Sequence, residues 1–349
     1  MLYNEYRPRT LEDFVGQEHL IQSIFGGFQR GRVSHAYLLA GPRGTGKTTV
    51  ARLMAAYLNC SSNGKKPCGK CSNCQAIADG MFSDVIELDM ASNRGIDSIR
   101  NLRDRVEFRP ISGQFKIFIL DEVHMVTNEG ANALLKTLEE PPPHIIFILL
   151  TTEAEKVLPT ILSRCQICRF RLLGMDQIFN RLKVIVLEKN LNVSDSVLSL
   201  VVEDSRGSLR DAISLLDLVS SAGIENVEGY CSILGRLMPG EMFHLIELIL
   251  QKNVRDAYLY IDHLLESGRS IEQLINLILQ WFQDMLKEGI GISTGNAAGA
   301  GQARILPRES LLQMSKVFNK SLFEARDLRL SLEMAIMDCM DLFPQVGDF

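Results

Sequence analysis

Between residues 36 and 152 the hydrophobic positions come in short, nearly unbroken runs: "AYLLA" from Ala36, "DVIELD" at 84–89, "KIFILD" at 116–121 and "HIIFILLTT" at 144–152. Apolar runs of this length are the pattern of strands in a parallel sheet covered on both faces. Between them apolar residues recur every three or four positions, as in "TTVARLMAAYL", the period of a helix with one buried face. Strands alternating with helices predict a doubly wound α/β domain. After about residue 172 the strand runs stop. "MDQIFNRLKVIVLEKN" and "SVLSLVVEDSRGSLRDAISLLDLVSS" carry the helical period, and from "PGEMFHLIELILQKN" onward helix follows helix. The glycine-rich "GIGISTGNAAGAG" at 289–301 interrupts this half and reads as an inter-helix loop.

Composition narrows the picture. At 349 residues and 46% hydrophobic, the chain fits two or three domains. A net charge of −5, from 37 basic and 42 acidic residues, argues against coating nucleic acid through the whole surface. Any such contact must come from a local patch. No apolar run is long enough to span a bilayer, and "MLYNEYRPRT" has no apolar signal core, so no membrane contact and a cytoplasmic address are expected.

The first candidate chemistry is "GPRGTGKT", comprising Gly41, Pro42, Arg43, Gly44, Thr45, Gly46, Lys47 and Thr48, with Thr49 following. It fits G-x-x-x-x-G-K-[ST] between a predicted strand and a predicted helix. The glycines let backbone N–H groups turn inward on phosphate oxygens, and the helix adds its positive N-terminal end. Lys47 is placed to reach the β- and γ-phosphates, and Thr48 to bind Mg²⁺. Hydrolysis needs carboxylates as well, and "KIFILDEVHM" supplies them at a strand end: Asp121 for the Mg²⁺ shell, Glu122 to orient or deprotonate the attacking water. His124 lies beside this pair without a matching Ser or Cys nucleophile, so a hydrolase triad is not indicated.

Of the eight cysteines, Cys60, Cys68, Cys71 and Cys74 crowd into "CSSNGKKPCGKCSNC". The remaining four, Cys165, Cys168, Cys231 and Cys339, are scattered. Clustered thiols in a reducing compartment point to metal, and the spacing C-x7-C-x2-C-x2-C suits a tetrahedral Zn²⁺ site. An iron–sulfur run lacks its downstream cysteine-proline, and unliganded thiols are the other alternative. A loop of Lys, Gly, Ser and Asn has too little apolar surface to fold alone, which metal would remedy. A partner-binding role for the insertion stays open.

Together "YRPRTLEDFVGQ", the phosphate loop, "LDEVHM", "NALLKTLEEPP", "TTEAEKVLPTILSRC" and "GSLRDA" resemble the AAA+ clamp-loader ATPases. With the cysteine cluster included, the chain is similar to the gamma/tau type of the bacterial DNA polymerase III clamp loader. The resemblance implies an AAA+ domain over 1–172 with a zinc insertion at 60–74, a small helical lid over 173–236 and a helical collar over 237–349. It also implies roles for single residues. Arg164 of "SRC" matches the arginine finger that reaches a neighbour's γ-phosphate, and Arg210 the second sensor on the lid. Thr152 matches the polar sensor at the end of the fourth strand, with Thr151 its competitor. Tyr6, Arg7, Pro8 and Val15 match the segment that packs over the nucleotide base.

The implied activity is ATP-driven loading of a sliding clamp on primer-template DNA within a heteropentameric ring. ATP, Mg²⁺ and Zn²⁺ are the implied cofactors; delta-type and delta-prime-type subunits, further copies of this chain, the clamp and DNA are the implied partners. For DNA, Asn93, Arg94 and Arg100 of "ASNRGIDSIRNLRDR" are the candidates for phosphate contact, against the alternative of a charged, solvated helix face. Two other functions remain. A nucleotide-stabilised scaffold would need none of the catalytic groups, and a branch-migration motor is opposed by the zinc insertion and the long helical C-terminal part.

Overall fold

A computed structural model describes residues 1–93, 95–288, 308–324 and 327–341. The residues divide into two compact units, Met1–Gly223 and Ile224–Phe349.

The first unit holds five strands: β1 Ala36–Ala40, β2 Val85–Asp89, β3 Lys116–Asp121, β4 Ile145–Thr151 and β5 Gln166–Arg169. They form one parallel sheet in the order β2-β3-β4-β1-β5. Alternation along the three central strands explains why their runs are wholly apolar. Tyr37, Leu39, Ile117, Ile119, Ile146, Ile148 and Leu150 enter one core, and Ala36, Leu38, Phe118, Leu120, Ile145, Phe147 and Leu149 enter the other. A strand buried on both sides has no polar face to show.

Helices cover both faces. α1 is a single turn, Leu2–Glu5, followed by α2 Glu18–Gln29; α3 Lys47–Asn59 and α4 Ser72–Ala78 come next. Ile24, Phe25, Phe28, Met54 and Ile77 from α2, α3 and α4 fill the first core. The second core takes Ile99 and Leu102 from α5 Ile96–Val106, Leu134 and Leu138 from α6 Asn128–Glu139, and Ile161 from α7 Pro159–Leu162. α6 starts where the Thr127 side chain accepts the Gly130 N–H and stops before the triple proline 141–143, as its sequence predicts.

The strand β5 was not foreseen. It is four residues long at the sheet edge and only Cys168 is buried, so it carries no apolar run to find.

Three helices complete this unit: α8 Met175–Lys189, α9 Asp195–Asp204 and α10 Leu209–Ser221. Ser194 and Ser208 cap the last two through their side chains. α1 lies against α10, and the Lys189 ammonium on α8 pairs with Glu5.

The second unit is helical throughout its described residues: α11 Val227–Leu234, α12 Pro239–Leu250, α13 Val254–Glu266, α14 Ile271–Glu288, α15 Arg308–Glu324 and α16 Leu328–Asp341. Its core joins Leu245, Ile275, Ile278, Phe282, Phe318, Leu332 and Ile336. Residues 289–301, expected as an inter-helix loop, lie outside the described residues. Among the described residues no helix is long and apolar enough to cross a membrane.

Candidate functional site

Strand order places the site. β4 lies between β1 and β3, so the carboxyl ends of three neighbouring strands deliver the phosphate loop, Asp121 and the Thr151–Thr152 pair to one edge. Strands lie about 4.8 Å apart, which leaves β1 and β3 about 10 Å apart at that edge. Carboxyl ends of parallel strands where the order departs from sequence are where such sheets bind ligands.

The loop from Gly41 to Gly46 turns tightly around the start of α3. Gly44 has φ +75°, and a Cβ there would lie 1.8 Å from the Ser208 hydroxyl oxygen, so only glycine lets the start of α10 come this close. Lys47 is buried, and its ammonium donates to the carbonyls of Gly41 (2.7 Å) and Pro42 (2.9 Å). Burial lowers its pKa, while the nearby Glu122 and Asp121 carboxylates oppose the shift.

The Thr48 hydroxyl donates to Asp121 Oδ2 at 3.4 Å. Burial raises the Asp121 pKa, with the Glu122 charge adding to it and Lys47 opposing it. Beyond the strand end, Glu122 takes a left-handed backbone conformation, φ +50°, which turns its carboxylate away from Asp121 toward β4. There Glu122 Oε2 accepts from the Thr152 hydroxyl at 3.0 Å and from the Thr152 N–H at 3.4 Å. Thr151 is fully buried and meets His124 instead.

A cleft of about 340 Å³ joins these groups, within the size range of small-molecule sites. It is lined by the expected Tyr6, Arg7, Pro8, Val15, Arg43, Gly44, Thr45, Gly46, Lys47, Thr48, Thr49, Asp121, Glu122, Thr152 and Arg210. Gly41 and Pro42 do not line it; their carbonyls hold Lys47 from beneath. The basic side chains in the wall are Arg7, Arg43, Lys47, Arg181 and Arg210, and the acidic ones Asp89, Asp121 and Glu122. A polyanion flanked by a divalent cation matches that division of charge. Burial, then the Arg52 charge, pushes Arg7 below the usual guanidinium range, as expected of a cation with too few counter-charges.

Several lining residues were missed. Tyr3 places its ring 5.1 Å from the Arg210 guanidinium carbon. Phe14 lies beneath Gly46, Asp89 ends β2, Leu173 comes from just before α8, Arg181 from α8 and Ile213 from α10. Each stands far in sequence from the phosphate loop. The strand end "IELD" was the one available signal, since Asp89 ends a strand beside β3 as Asp121 ends β3 itself.

Arg164 does not line this cleft. Its guanidinium donates to Glu139 Oε1 (2.5 Å) and to the Thr160 carbonyl (2.7 Å). Asn93 precedes α5, its amide donating to the Asp89 carbonyl, and Arg100 is exposed on α5. Arg94 lies outside the described residues.

The four clustered cysteines come together at the end of α3. Their sulfurs lie within 4.8 Å of one another, Cys60 and Cys74 buried, Cys68 and Cys71 half-buried. Tetrahedral thiolates about 2.3 Å from a metal are about 3.8 Å apart, so the cluster fits Zn²⁺ with little movement. Cys71 caps α4, its sulfur accepting the Cys74 N–H at 3.4 Å. Burial pushes the Cys71 thiol up, but hydrogen bonds from Ser61 and the Cys74 N–H outweigh it and bring it to about 5. On the deeper Cys74 burial prevails and the thiol is pushed well up.

A family model described as DNA polymerase III, delta subunit, matches residues 16–173. The chain is 39% identical to the tau subunit of DNA polymerase III from Bacillus subtilis over 92% of this chain and 59% of that one. It is 35% identical to the Escherichia coli tau subunit over 99% of this chain and 56% of the relative. It thus spans little more than half the length of these tau relatives. Against the gamma subunit of Buchnera aphidicola it is 36% identical over 80% of this chain and 79% of the relative. Among solved structures, the Thermotoga maritima RuvB Holliday junction branch migration motor is 19% identical, with a TM-score of 0.49 over 70% of this chain and 79% of that one. A superposition that loose says nothing of activity. Identity at this level, covering nearly four-fifths of a gamma subunit's length, establishes that the chain belongs to the gamma/tau family of DNA polymerase III subunits.

Proposed function

We propose that this chain is an ATP-hydrolysing clamp-loader subunit, which opens a sliding clamp and loads it on primer-template DNA within a heteropentameric ring. The observation that carries the reading is the convergence of Lys47, Thr48, Asp121, Glu122 and Thr152 on one cleft at the carboxyl ends of three adjacent strands. A scaffold that only held nucleotide would have no use for Glu122 and Thr152 set against each other beyond the phosphate loop.

In this reading the backbone N–H groups of residues 43–49 and the Lys47 ammonium cradle the phosphates. Thr48 and Asp121 are the residues that would hold Mg²⁺, which supplies charge neutralisation at the β- and γ-oxygens when bound. Glu122 orients the attacking water and takes its proton. Thr152 holds Glu122 and is the sensor. Tyr6, Arg7, Pro8 and Val15 wall the base side, and Arg210 brings the lid to the γ-phosphate in cis. Arg164, engaged outside its own cleft, serves a neighbour's site. The division into an AAA+ domain to 172, a lid to 236 and a collar beyond belongs to the same proposal, as do assembly with delta-type and delta-prime-type subunits and with further copies of this chain, and a cytoplasmic place of work.

The test is steady-state ATPase of this chain with and without candidate loader partners, clamp and primed DNA. A low rate alone, raised by the full set, supports a loader. A rate indifferent to clamp and DNA removes it.

Two smaller expectations accompany this reading. If Zn²⁺ occupies the thiolate cluster as a structural metal, Cys74→Ser releases it, read by elemental analysis. It then destabilises the first unit by about 4 kcal/mol or more, read by chemical denaturation. The segment from Asn93 to the first turns of α5 is the proposed DNA contact, with Asn93, Arg94 and Arg100 the candidates for phosphate binding. Arg100→Ala is expected to weaken DNA binding by the assembly about equally for all sequences and to reduce the salt slope by about one, in titrations at several salt concentrations. Unchanged affinity and slope would remove this contact.

A further inference from the structure

Residues 2–12 run as a strap along one wall of the cleft, and its two ends are tied to different parts of the first unit. One end rests on α8 and α10. The Leu2 N–H donates to Asp217 Oδ2 at 3.3 Å, Lys189 pairs with Glu5, and the Tyr6 ring lies 5.8 Å from the Arg181 guanidinium carbon. The other end meets the cysteine insertion. Lys65 pairs with Glu12, Arg9 pairs with Asp79 at 3.4 Å, and a Cβ on Gly69 would lie 3.1 Å from the Thr10 methyl carbon. Just beyond the strap's own leucine, Leu11, Phe14 joins it in packing on the core that contains Cys60 and Cys74.

Between the two ends lie Tyr6, Arg7 and Pro8, which line the nucleotide cleft. They are not packed flush against the helices beneath. A second cleft, of about 40 Å³, is lined by Pro8 and Arg9 of the strap together with Leu53 of α3 and Ile77 of α4. A segment with space under it makes few contacts of its own and depends on its ends for order.

The tethers on the insertion stand where its thiols can fix them. Lys65 and Gly69 lie between Cys60 and Cys71, and Asp79 follows α4, whose first turn holds Cys74. A polar loop of this kind keeps one shape when its cysteines are held together. That order then passes through the two ion pairs and the Gly69 contact to residues 9–12.

We infer that the cysteine insertion positions the base-side wall of the cleft: Lys65, Gly69 and Asp79 hold residues 9–12, and through them keep Tyr6, Arg7 and Pro8 ordered for the nucleotide base. The inference rests on the reading of the cleft as a nucleotide site. A wall ordered in advance loses less conformational entropy when the base binds, and the difference appears as affinity. The phosphates gain nothing from it, because Lys47 is held by the Gly41 and Pro42 carbonyls and not by the strap.

The test is equilibrium binding of ATP and of inorganic tripolyphosphate, each with Mg²⁺, to the full chain. Lys65→Ala with Asp79→Ala removes both ion pairs. Exposed pairs are worth up to about fivefold each, so ATP is expected to bind about three- to tenfold more weakly, with tripolyphosphate within about twofold of wild type. Reversing the insertion's charges, Lys65→Glu with Asp79→Lys, weakens ATP at least as much, and adding Glu12→Lys with Arg9→Glu restores it. All four side chains are half or more exposed, so these changes leave the core untouched. A merely structural role predicts that both ligands weaken together and that the second pair of reversals rescues nothing; either result overturns the inference. So does ATP affinity within about twofold of wild type in the charge-reversed chain. Wild type that binds neither ligand removes the nucleotide reading itself, and the inference with it.

Discussion

Glu122→Gln is expected to cut single-turnover ATP hydrolysis by a factor of about 10² to 10⁴, the range that a positioned general base contributes. ATP affinity should stay within a few-fold. Glutamine keeps the length and shape of glutamate and can still accept from the Thr152 hydroxyl, which lies 3.0 Å from the present Oε2. What it loses is the capacity to take a proton. The groups placed for binding, Lys47 and the backbone N–H groups of the phosphate loop, are untouched. Rapid-quench hydrolysis and a nucleotide-binding titration on the same protein separate the two effects. A parallel fall in affinity would mean that Glu122 shapes the cleft and does not act in the chemistry. The left-handed backbone at Glu122, φ +50°, sharpens the expectation. A non-glycine residue there is strained by about 1 kcal/mol or more, and that strain is what aims the carboxylate at Thr152.

The second large effect concerns a residue outside its own cleft. Arg164→Ala is expected to lower ATP turnover by the full assembly at least about 10³-fold, the lower end of what an arginine finger contributes. Nucleotide binding should persist. The same substitution should leave the slow rate of the isolated chain unchanged, since Arg164 contacts Glu139 and the Thr160 carbonyl and no group of its own phosphate loop. Loss of that half-exposed pair costs about 1 kcal/mol or less in stability, so unfolding does not confuse the result. Turnover in assemblies mixing Arg164→Ala chains with Lys47→Ala chains reads which subunit's arginine serves which site. A drop in the isolated chain equal to that in the assembly would place Arg164 in cis, against the proposal.

Much of the site was legible because its parts are contiguous. A phosphate loop is made of neighbouring residues whose N–H groups turn inward together, so "GPRGTGKT" specifies its own shape. The central strands were legible for a related reason. Burial on both faces removes every polar position, and an unbroken apolar run is easily read. The cysteines also announced themselves, since two-residue gaps keep thiols within reach of one metal whatever surrounds them.

Other features depend on residues far apart. Whether Thr151 or Thr152 meets Glu122 depends on where β4 ends and on strand alternation: Thr151, the last residue of β4, is fully buried beside His124, and the next residue faces the cleft. A two-residue difference in pairing would exchange nothing and a one-residue difference would exchange both, which no sequence pattern at "TT" can resolve. The edge strand β5 has no apolar run because an edge has little to bury. Tyr3 against Arg210, Phe14 beneath Gly46 and the ring of His124 between Glu122 and Glu153 are likewise products of assembly.

Local chemistry could be read along the chain: which segment has the glycines and lysine of a phosphate cradle, which carboxylates stand at a strand end, which thiols lie close enough for one metal. Which distant side chains complete that chemistry depended on how the chain packs. Local motifs are fixed by backbone geometry and short spacing, whereas the cleft wall and the Glu122 environment are set by the sheet order β2-β3-β4-β1-β5, which brings residues more than a hundred positions apart to one edge.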